Sequence, residues 1–274
     1  MKPTYGVVSC AGVFPLSSSL DHVGPMTRTV EDNAILLQTI VGHDTKDPTS
    51  VAHPSPDFLS GLRDGVKGLR VGLIEHFYTE DMPADTQMTA AINIAAALLR
   101  DLGAQVTTVR LPPLADWAQC GRVILQSEQY AVHEHWLKQR PQDYGEIART
   151  KLLAGATIRA PDYIRALQAR QRLRTEFDSV MQGYDALITL SGFNLPPRFD
   201  NSEAIAAAYV RHARMPFNVT GTPAIAVPTG FSAERLPLGM QIAGKAFDEA
   251  MLYRIAWQYC EAAGWNARHP DNLL

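Results

Sequence analysis

The chain has 274 residues, 46% of them hydrophobic and 19% charged, and its formal net charge is -3, a composition typical of a globular protein with a substantial core. A weakly acidic chain without a long basic run gives no electrostatic basis for binding nucleic acid, and no apolar run is long enough to cross a bilayer. We therefore expect neither nucleic acid nor a membrane among its partners, and the length allows one large α/β domain or two small ones.

The three cysteines, Cys10, Cys120 and Cys260, are odd in number and far apart in the sequence. This arrangement favours free thiols over a disulfide framework, and free thiols are typical of the reducing cytoplasm. The first residues include no apolar stretch of the kind that a secretory signal peptide needs. We therefore expect a cytoplasmic protein.

The first half of the chain predicts a helix, then a strand, a helix and a second strand. Apolar residues at helical spacing mark Thr29–Val41, with Thr29 as its N-cap. Leu69–Ile74 reads as a strand, Asp85–Leu102 as an Ala- and Leu-rich helix, and Gln105–Leu111 as the next strand. A strand–helix–strand unit of this kind favours two parallel strands joined by a right-handed crossover.

The second half predicts four helices and three strands. The predicted helices are Asp116–Lys138, Asp162–Met181, Ser202–Arg214 and Asp248–Ala263, and Pro141 breaks the chain after the first of them. The predicted strands are Ala186–Leu190, Ala224–Val227 and Leu238–Ile242, and we expect the last two to be adjacent in the sheet. The alternation of strands and helices predicts an α/β fold in which helices cover a β-sheet.

Three serines stand close to an acid and a base, in the run Ser17-Ser18-Ser19-Leu20-Asp21-His22. A catalytic triad is defined by the spatial roles of its members, and adjacent side chains on a strand point to opposite faces. Asp21 is therefore poorly placed to orient His22. We interpret this run as a loop held by its own hydrogen bonds and not as a catalytic triad.

No pattern in the sequence predicts a metal or a cofactor. His133 and His135 flank Glu134, but the zincin pattern needs histidines four residues apart on one helical face, and residues two apart lie about 200° apart. The glycine-rich segments match neither a phosphate loop nor a dinucleotide fingerprint. We expect no metal site and no cofactor.

Several blocks together resemble one known family. They are Lys2-Pro3-Thr4-Tyr5-Gly6, the segment Ser17–Asp32, Met215–Gly230 and Leu236–Gly244. In this order they resemble the C-terminal part of the amidase signature family of carbon–nitrogen hydrolases. The resemblance implies a mixed central sheet and the hydrolysis of carboxamides through an acyl-serine intermediate, in which a lysine and a cis-serine activate the nucleophile.

The same resemblance bears on catalysis. In the family a Gly-Leu-Lys-Pro-Thr segment lies shortly after the nucleophilic serine, and this chain starts inside that segment. We therefore expect residues 1–274 to be the C-terminal portion of an amidase-signature domain, with an incomplete fold and with none of the family's catalytic residues.

The resemblance also places candidate substrate-binding residues. It implies that the loop after Ala186–Leu190 borders the substrate pocket, and this loop begins with Ser191, Gly192 and Phe193 where many members carry threonine and proline. This change suits a different or more apolar substrate. Glutaminase members of the family carry an acid where this chain has Arg211. A cation would not hold the α-ammonium group of glutamine, so Arg211 argues against a glutaminase. The alternative interpretation is that Arg211 is a surface arginine on a helix.

Three hypotheses about activity follow. The chain is one half of a split amidase that acts on a small-molecule amide when an N-terminal half is supplied, or a non-catalytic binding or interaction module, or an independent enzyme. Removal of the N-terminal half would expose apolar strands such as Ala224–Val227. We therefore expect the isolated chain to be partly molten, self-associated or dependent on a partner.

Overall fold

Five strands form a single mixed sheet in the order β2-β1-β3-β5-β4. The structure is a computed structural model, which describes residues 1–54 and 56–267. The strands are β1 (Arg70–Leu73), β2 (Gln105–Thr108), β3 (Ala186–Leu190), β4 (Ala224–Phe231) and β5 (Pro237–Ala243). The α/β class and the mixed sheet are both confirmed.

Helices surround this sheet. They are α1 (Val30–Ile40), α2 (Thr86–Asp101), α3 (Leu114–Gln139), α4 (Glu146–Leu153), α5 (Ala160–Met181), α6 (Ser202–Tyr209), α7 (Met215–Thr220) and α8 (Glu249–Ala263). A single turn of π-helix spans Phe77–Asp81, and two 3-10 turns span Pro141–Asp143 and Ala154–Thr157. Helix α4 and the π-helical turn were not predicted from the sequence.

The parallel part of the sheet is the predicted crossover unit. β1 pairs in parallel with β2 on one side and with β3 on the other. Helix α2 joins β1 to β2 and buries a stripe of small and branched side chains that includes Ile92 and Leu99. A Cβ atom on Gly72 would lie 2.6 Å from the Leu187 side chain, so only glycine lets β1 and its neighbour approach this closely.

The antiparallel part ends at an open edge. β5 lies between β3 and β4 and pairs antiparallel with both. On the outer side of β4, Lys2 and Ala224 exchange backbone hydrogen bonds of 2.8 and 2.9 Å. Beyond that pair, Ala226 and Pro228 are exposed, and no strand within the described residues continues the ladder along β4.

Helices α3 and α5 form the layer that carries most of the polar groups discussed below. Trp117 and Ile124 of α3 and Phe177 of α5 are fully buried. The short helix α7 packs closely on α3 because Gly121 has no side chain: a Cβ atom there would lie 2.2 Å from the sulfur of Met215. The buried stripes of α3 and α5 therefore face each other and α7.

The predicted helix Ser202–Arg214 is wrong as a single element. The structure ends α6 at Tyr209 and starts α7 at Met215, with Pro216 in the first turn of α7. The residues between them pair with the loop after β3, where Gly192 and His212 form an antiparallel bridge. Long-range pairing therefore overrides a local helical preference.

The described part of the chain contains no helix that combines the length and the apolar character needed to cross a membrane.

Candidate substrate-binding region

The loop after β3 is held by a short backbone ladder. The Phe193 N–H donates to the carbonyl of Arg211 over 3.1 Å, and the Ala213 N–H donates to the carbonyl of Ser191 over 3.1 Å. All of β3 is buried, so the loop starts from a fixed point. The structure therefore brings the four predicted residues, Ser191, Gly192, Phe193 and Arg211, into one small region.

Arg211 fastens this region to the neighbouring loop. Its Nε donates to Oδ1 of Asn194 over 2.6 Å, and its Nη2 donates to the carbonyl of Pro83. The Phe193 ring is fully buried and supports the loop from the core, whereas Ser191 and Gly192 are half-buried. Of the four predicted residues, Ser191, Gly192 and Arg211 are therefore partly accessible to solvent, and Phe193 is not.

Two further side chains fix the same region. The amide of Gln241 donates to the carbonyls of Leu190 and Ala213, over 3.1 and 2.8 Å, and so joins β3 to the segment between α6 and α7. His212 accepts a hydrogen bond at Nδ1 from the Arg214 N–H over 3.2 Å. Burial lowers the pKa of His212 to about 4, so its ring is uncharged at neutral pH.

A second polar cluster surrounds the carboxylate of Glu128 on α3, which is 7% exposed. Its Oε2 accepts from the hydroxyl of Ser17 over 2.6 Å and from the N–H of Ser19 over 2.9 Å. Its Oε1 accepts from the hydroxyls of Ser19 and Tyr163, over 2.7 and 3.0 Å. Burial by itself would raise the pKa of Glu128, but the hydrogen bonds from Ser17 and Ser19 lower it overall.

Arg170 of α5 closes this cluster from the other side. Its Nη1 donates to the hydroxyl of Ser19 over 2.9 Å and its Nη2 to the Ser19 carbonyl over 3.1 Å. Its Nε donates to the carbonyl of Val219 over 2.8 Å. Desolvation lowers the pKa of Arg170, yet an arginine stays charged in proteins. Glu128 and Arg170 therefore hold the serine loop between two helices.

The serines of this loop do not form a triad with Asp21 and His22. Asp21 accepts hydrogen bonds from the backbone N–H groups of Leu16 and Ser17. His22 contacts the carbonyl of Leu20 through Nδ1 and the ammonium of Lys2 through Nε2, at 2.8 and 3.3 Å. These contacts agree with the interpretation of this run as a loop, but its serines are held by Glu128 and Arg170 and not by hydrogen bonds within the run alone.

Lys2 is half-buried and lies beside the same loop. Its ammonium donates to the carbonyl of Thr222 over 2.6 Å and lies 3.3 Å from Nε2 of His22. Burial lowers the pKa of Lys2 to about 7 and, together with the charge of Lys2, lowers the pKa of His22 to about 3. Across residues 1–54 and 56–267, no serine hydroxyl is hydrogen bonded to a lysine or histidine side chain.

Groups of three or more histidine, cysteine or acidic side chains able to hold a metal ion are absent from the described part of the chain. His133 is buried and contacts the hydroxyl of Tyr144 at 2.9 Å, whereas Glu134 pairs with Lys138 at the surface. All three cysteines lie in described residues and none forms a disulfide. Cys120 and Cys260 are buried in helices.

The sequence contains a signal for Glu128 and Arg170 that our interpretation missed. In α3, Glu128 follows Ile124 by four residues on the buried face, and in α5, Arg170 lies four residues after the buried Ala166. A charged residue on an otherwise apolar helical stripe needs buried partners. The sequence alone does not say which partners these are.

Comparison with known proteins matches this architecture. The Amidase family model matches residues 1–253. This chain belongs to the amidase family. An amidase of Pseudomonas putida is 36% identical over 279 residues, which cover 98% of this chain and 59% of that protein. The A subunit of the glutamyl-tRNA(Gln) amidotransferase of Chloroflexus aggregans is 32% identical over 298 residues, which cover 99% of this chain and 60% of that protein.

The fold agrees with that of solved amidase-family structures. The crystal structure of the corresponding A subunit from Thermotoga maritima superimposes with a TM-score of 0.78 at 32% sequence identity, over 94% of this chain and 56% of that chain. The chain thus spans about three-fifths of the length of the curated amidase-family relatives that it matches.

Proposed function

We propose that residues 1–274 form the C-terminal, substrate-facing portion of an amidase-signature domain and serve in the hydrolysis of a carboxamide carbon–nitrogen bond. The observation that carries this proposal is the ladder between residues 191–193 and 211–213 at the end of β3, in a chain of the amidase family. The ladder provides a rigid wall for a ligand, and rigid walls orient substrates well.

We further propose that this portion does not hydrolyse amides by itself. A serine nucleophile needs a base within hydrogen-bond reach. In the described residues the hydroxyls of Ser17 and Ser19 both donate to Glu128, and the ammonium of Lys2 contacts His22 and a carbonyl rather than a serine. The nucleophile and its base are then to be supplied by a segment outside residues 1–274, on the same or on a second polypeptide.

The open edge of β4 supports such complementation. An antiparallel strand that continues from Lys2 in the direction of Met1 would run beside Ala226, because Lys2 already pairs with Ala224. Addition of a strand to an exposed edge supplies backbone hydrogen bonds without a change in the sheet. Two of the relatives above are named as subunits, which also supports partnership with another polypeptide. Self-association through the same edge is the alternative.

The region at the end of β3 supports a substrate without an α-ammonium group. Arg211 places a cation at the loop after β3, where its two hydrogen bonds to Asn194 and Pro83 hold it. A cation repels an ammonium group and gives it no acceptor. We therefore propose an uncharged or acidic amide as substrate, bound at Ser191, Gly192 and Arg211 with Phe193 as support. The three free thiols support a cytoplasmic location.

Complementation tests the proposal directly. The 274-residue chain is produced alone and together with the N-terminal two-fifths of the Pseudomonas putida amidase, and ammonia release from simple carboxamides is measured. We expect release at the rate of buffer for the chain alone, and co-purification with faster release for the pair. The same measurement on the complemented pair with Gly192→Val in the 274-residue chain tests the region at the end of β3, and Gly145→Val in the same chain is the control.

Two outcomes would count against the proposal. Hydrolysis by the chain alone that Ser17→Ala or Ser19→Ala abolishes would show an independent enzyme. A chain that is monomeric, unfolds in one sharp transition, binds no hydrophobic dye and ignores the N-terminal part would favour a non-catalytic binding module.

A further inference from the structure

A cleft of about 320 Å³ lies between the first half of α3 and the segment 209–215. Its walls are largely apolar and include Met82, Leu114, Ala118, Leu125, Val210 and Met215. Arg122 of α3 lies at its edge, and we name it the Arg122 cleft. Its size is within the range of sites for small organic molecules.

The edge of the Arg122 cleft is positively charged. Arg122 is exposed and forms neither a hydrogen bond nor an ion pair with any residue in the ranges 1–54 and 56–267. The ammonium of Lys151 lies 4.3 Å from the centre of the Tyr209 ring, which also lines the cleft. Asp81 is the acid at this cleft, and its carboxylate already accepts a hydrogen bond of 2.7 Å from the Leu114 N–H.

A neutral donor adds to these cations. His212 lines the cleft, and its Nδ1 accepts a hydrogen bond from the Arg214 N–H. The uncharged ring must then carry its proton on Nε2. Burial keeps the ring in this form at neutral pH because it lowers the pKa of His212 to about 4. The cleft thus offers a neutral donor and a cation beside apolar walls.

We propose that the Arg122 cleft binds a small organic acid with an apolar body, whose carboxylate pairs with Arg122. The apolar walls favour an apolar body by burial of its surface. An exposed guanidinium without a partner favours a carboxylate, which it holds through two parallel hydrogen bonds. An amine of the same shape would meet the like charge of Arg122. This binding needs no catalytic residue, so it is independent of the function proposed above.

The test compares three ligands that share one apolar body, namely phenylbutyrate, phenylbutanol and phenylbutylamine. Isothermal titration calorimetry of the 274-residue chain should show one site that binds the acid roughly tenfold more tightly than the alcohol, which corresponds to one charged hydrogen-bonded pair. The amine should bind more weakly than the acid and no more tightly than the alcohol, because Arg122 repels it. A higher salt concentration should lower the affinity for the acid and leave the affinity for the alcohol unchanged.

Variants locate the site. Arg122→Gln should reduce the affinity for the acid to that for the alcohol and leave the affinity for the alcohol unchanged. Ala118→Leu should lower the affinity for both ligands because the larger side chain fills the cleft. Arg172→Gln, which changes an exposed arginine of α5, is the matched control and should change neither affinity. Circular dichroism confirms that each variant is folded.

The proposal is wrong if the wild-type chain binds acid and alcohol equally or binds neither. It is also wrong if Arg172→Gln has the effect expected of Arg122→Gln, or if Ala118→Leu leaves both affinities unchanged. None of these results depends on ammonia release, so a failure here is distinct from a failure of the proposed hydrolytic role.

Discussion

Glu128→Gln tests whether the buried carboxylate holds the serine loop between α3 and α5. The wild-type carboxylate accepts four hydrogen bonds, from the hydroxyl of Ser17, from the N–H and hydroxyl of Ser19, and from the hydroxyl of Tyr163. An amide accepts on its oxygen only, so its NH₂ group faces two donors. Two hydrogen bonds to a charged group are lost, at roughly 1.5–3 kcal/mol each.

We therefore expect Glu128→Gln to lower the free energy of unfolding by about 3–5 kcal/mol at neutral pH. Urea denaturation followed by circular dichroism and by tryptophan fluorescence measures the change. Glu134→Gln is the matched control on the same helix. Glu134 pairs with Lys138 at the surface, and exposed pairs of this kind contribute little, so the control should unfold like the wild type.

The dependence on pH gives a second readout. Burial raises the pKa of Glu128, but the hydrogen bonds that its carboxylate accepts outweigh burial, so the folded pKa lies below the ordinary value. A group with a lowered folded pKa stabilises the protein above its unfolded pKa, and this contribution is lost as the pH falls through the folded pKa. The difference between wild type and Glu128→Gln should therefore shrink in acid. An equal loss for Glu128→Gln and Glu134→Gln, or a difference that grows in acid, would refute the reasoning.

Three further predictions concern neighbouring positions. Arg170→Lys should lower the free energy of unfolding by about 2 kcal/mol, because a lysine ammonium cannot make the three hydrogen bonds that the guanidinium donates to Ser19 and Val219. Urea denaturation measures the change, and Arg172→Lys on the exposed face of α5 is the control. Gly121→Val should cost about 1–3 kcal/mol through overpacking against Met215, and a melting temperature equal to the wild type would contradict the close approach of α7. In the wild type the folded pKa of Lys2 is about 7 and lies below the unfolded pKa, so the unfolded state binds more protons between the two values. The free energy of unfolding of the wild type relative to Lys2→Met should therefore rise from neutral to alkaline pH. Urea denaturation at a series of pH values measures it, and a relative stability that falls with pH would contradict the prediction.

Local sequence patterns predicted most of the architecture. The helix α1 begins after Thr29, whose hydroxyl accepts from the Asp32 N–H as a cap, and α8 ends at Gly264 with φ of 71°. The crossover β1-α2-β2 is parallel, as its alternation predicted. These features depend on periodicity, caps and turns, which act over a few residues and can be recognised in any one segment.

The family and the grouping of the candidate substrate-binding residues also came from the sequence. Ser191, Gly192, Phe193 and Arg211 share one region, although their roles toward a substrate stay a prediction. The hydrogen bonds that set this region join residues about twenty positions apart. No local pattern encodes that pairing, and for this reason the helix predicted through Arg211 was wrong.

Tertiary structure alone decided the partners of the buried charges. The sequence shows Glu128 and Arg170 on apolar helical stripes, but it does not show that both meet Ser19, which is 109 residues from one and 151 residues from the other. Burial of a charge is a local property of a helical face, and periodicity reports it. The partner that compensates the charge is a property of how distant segments pack, because a desolvated carboxylate or guanidinium is stable only where another part of the chain brings donors or acceptors to it.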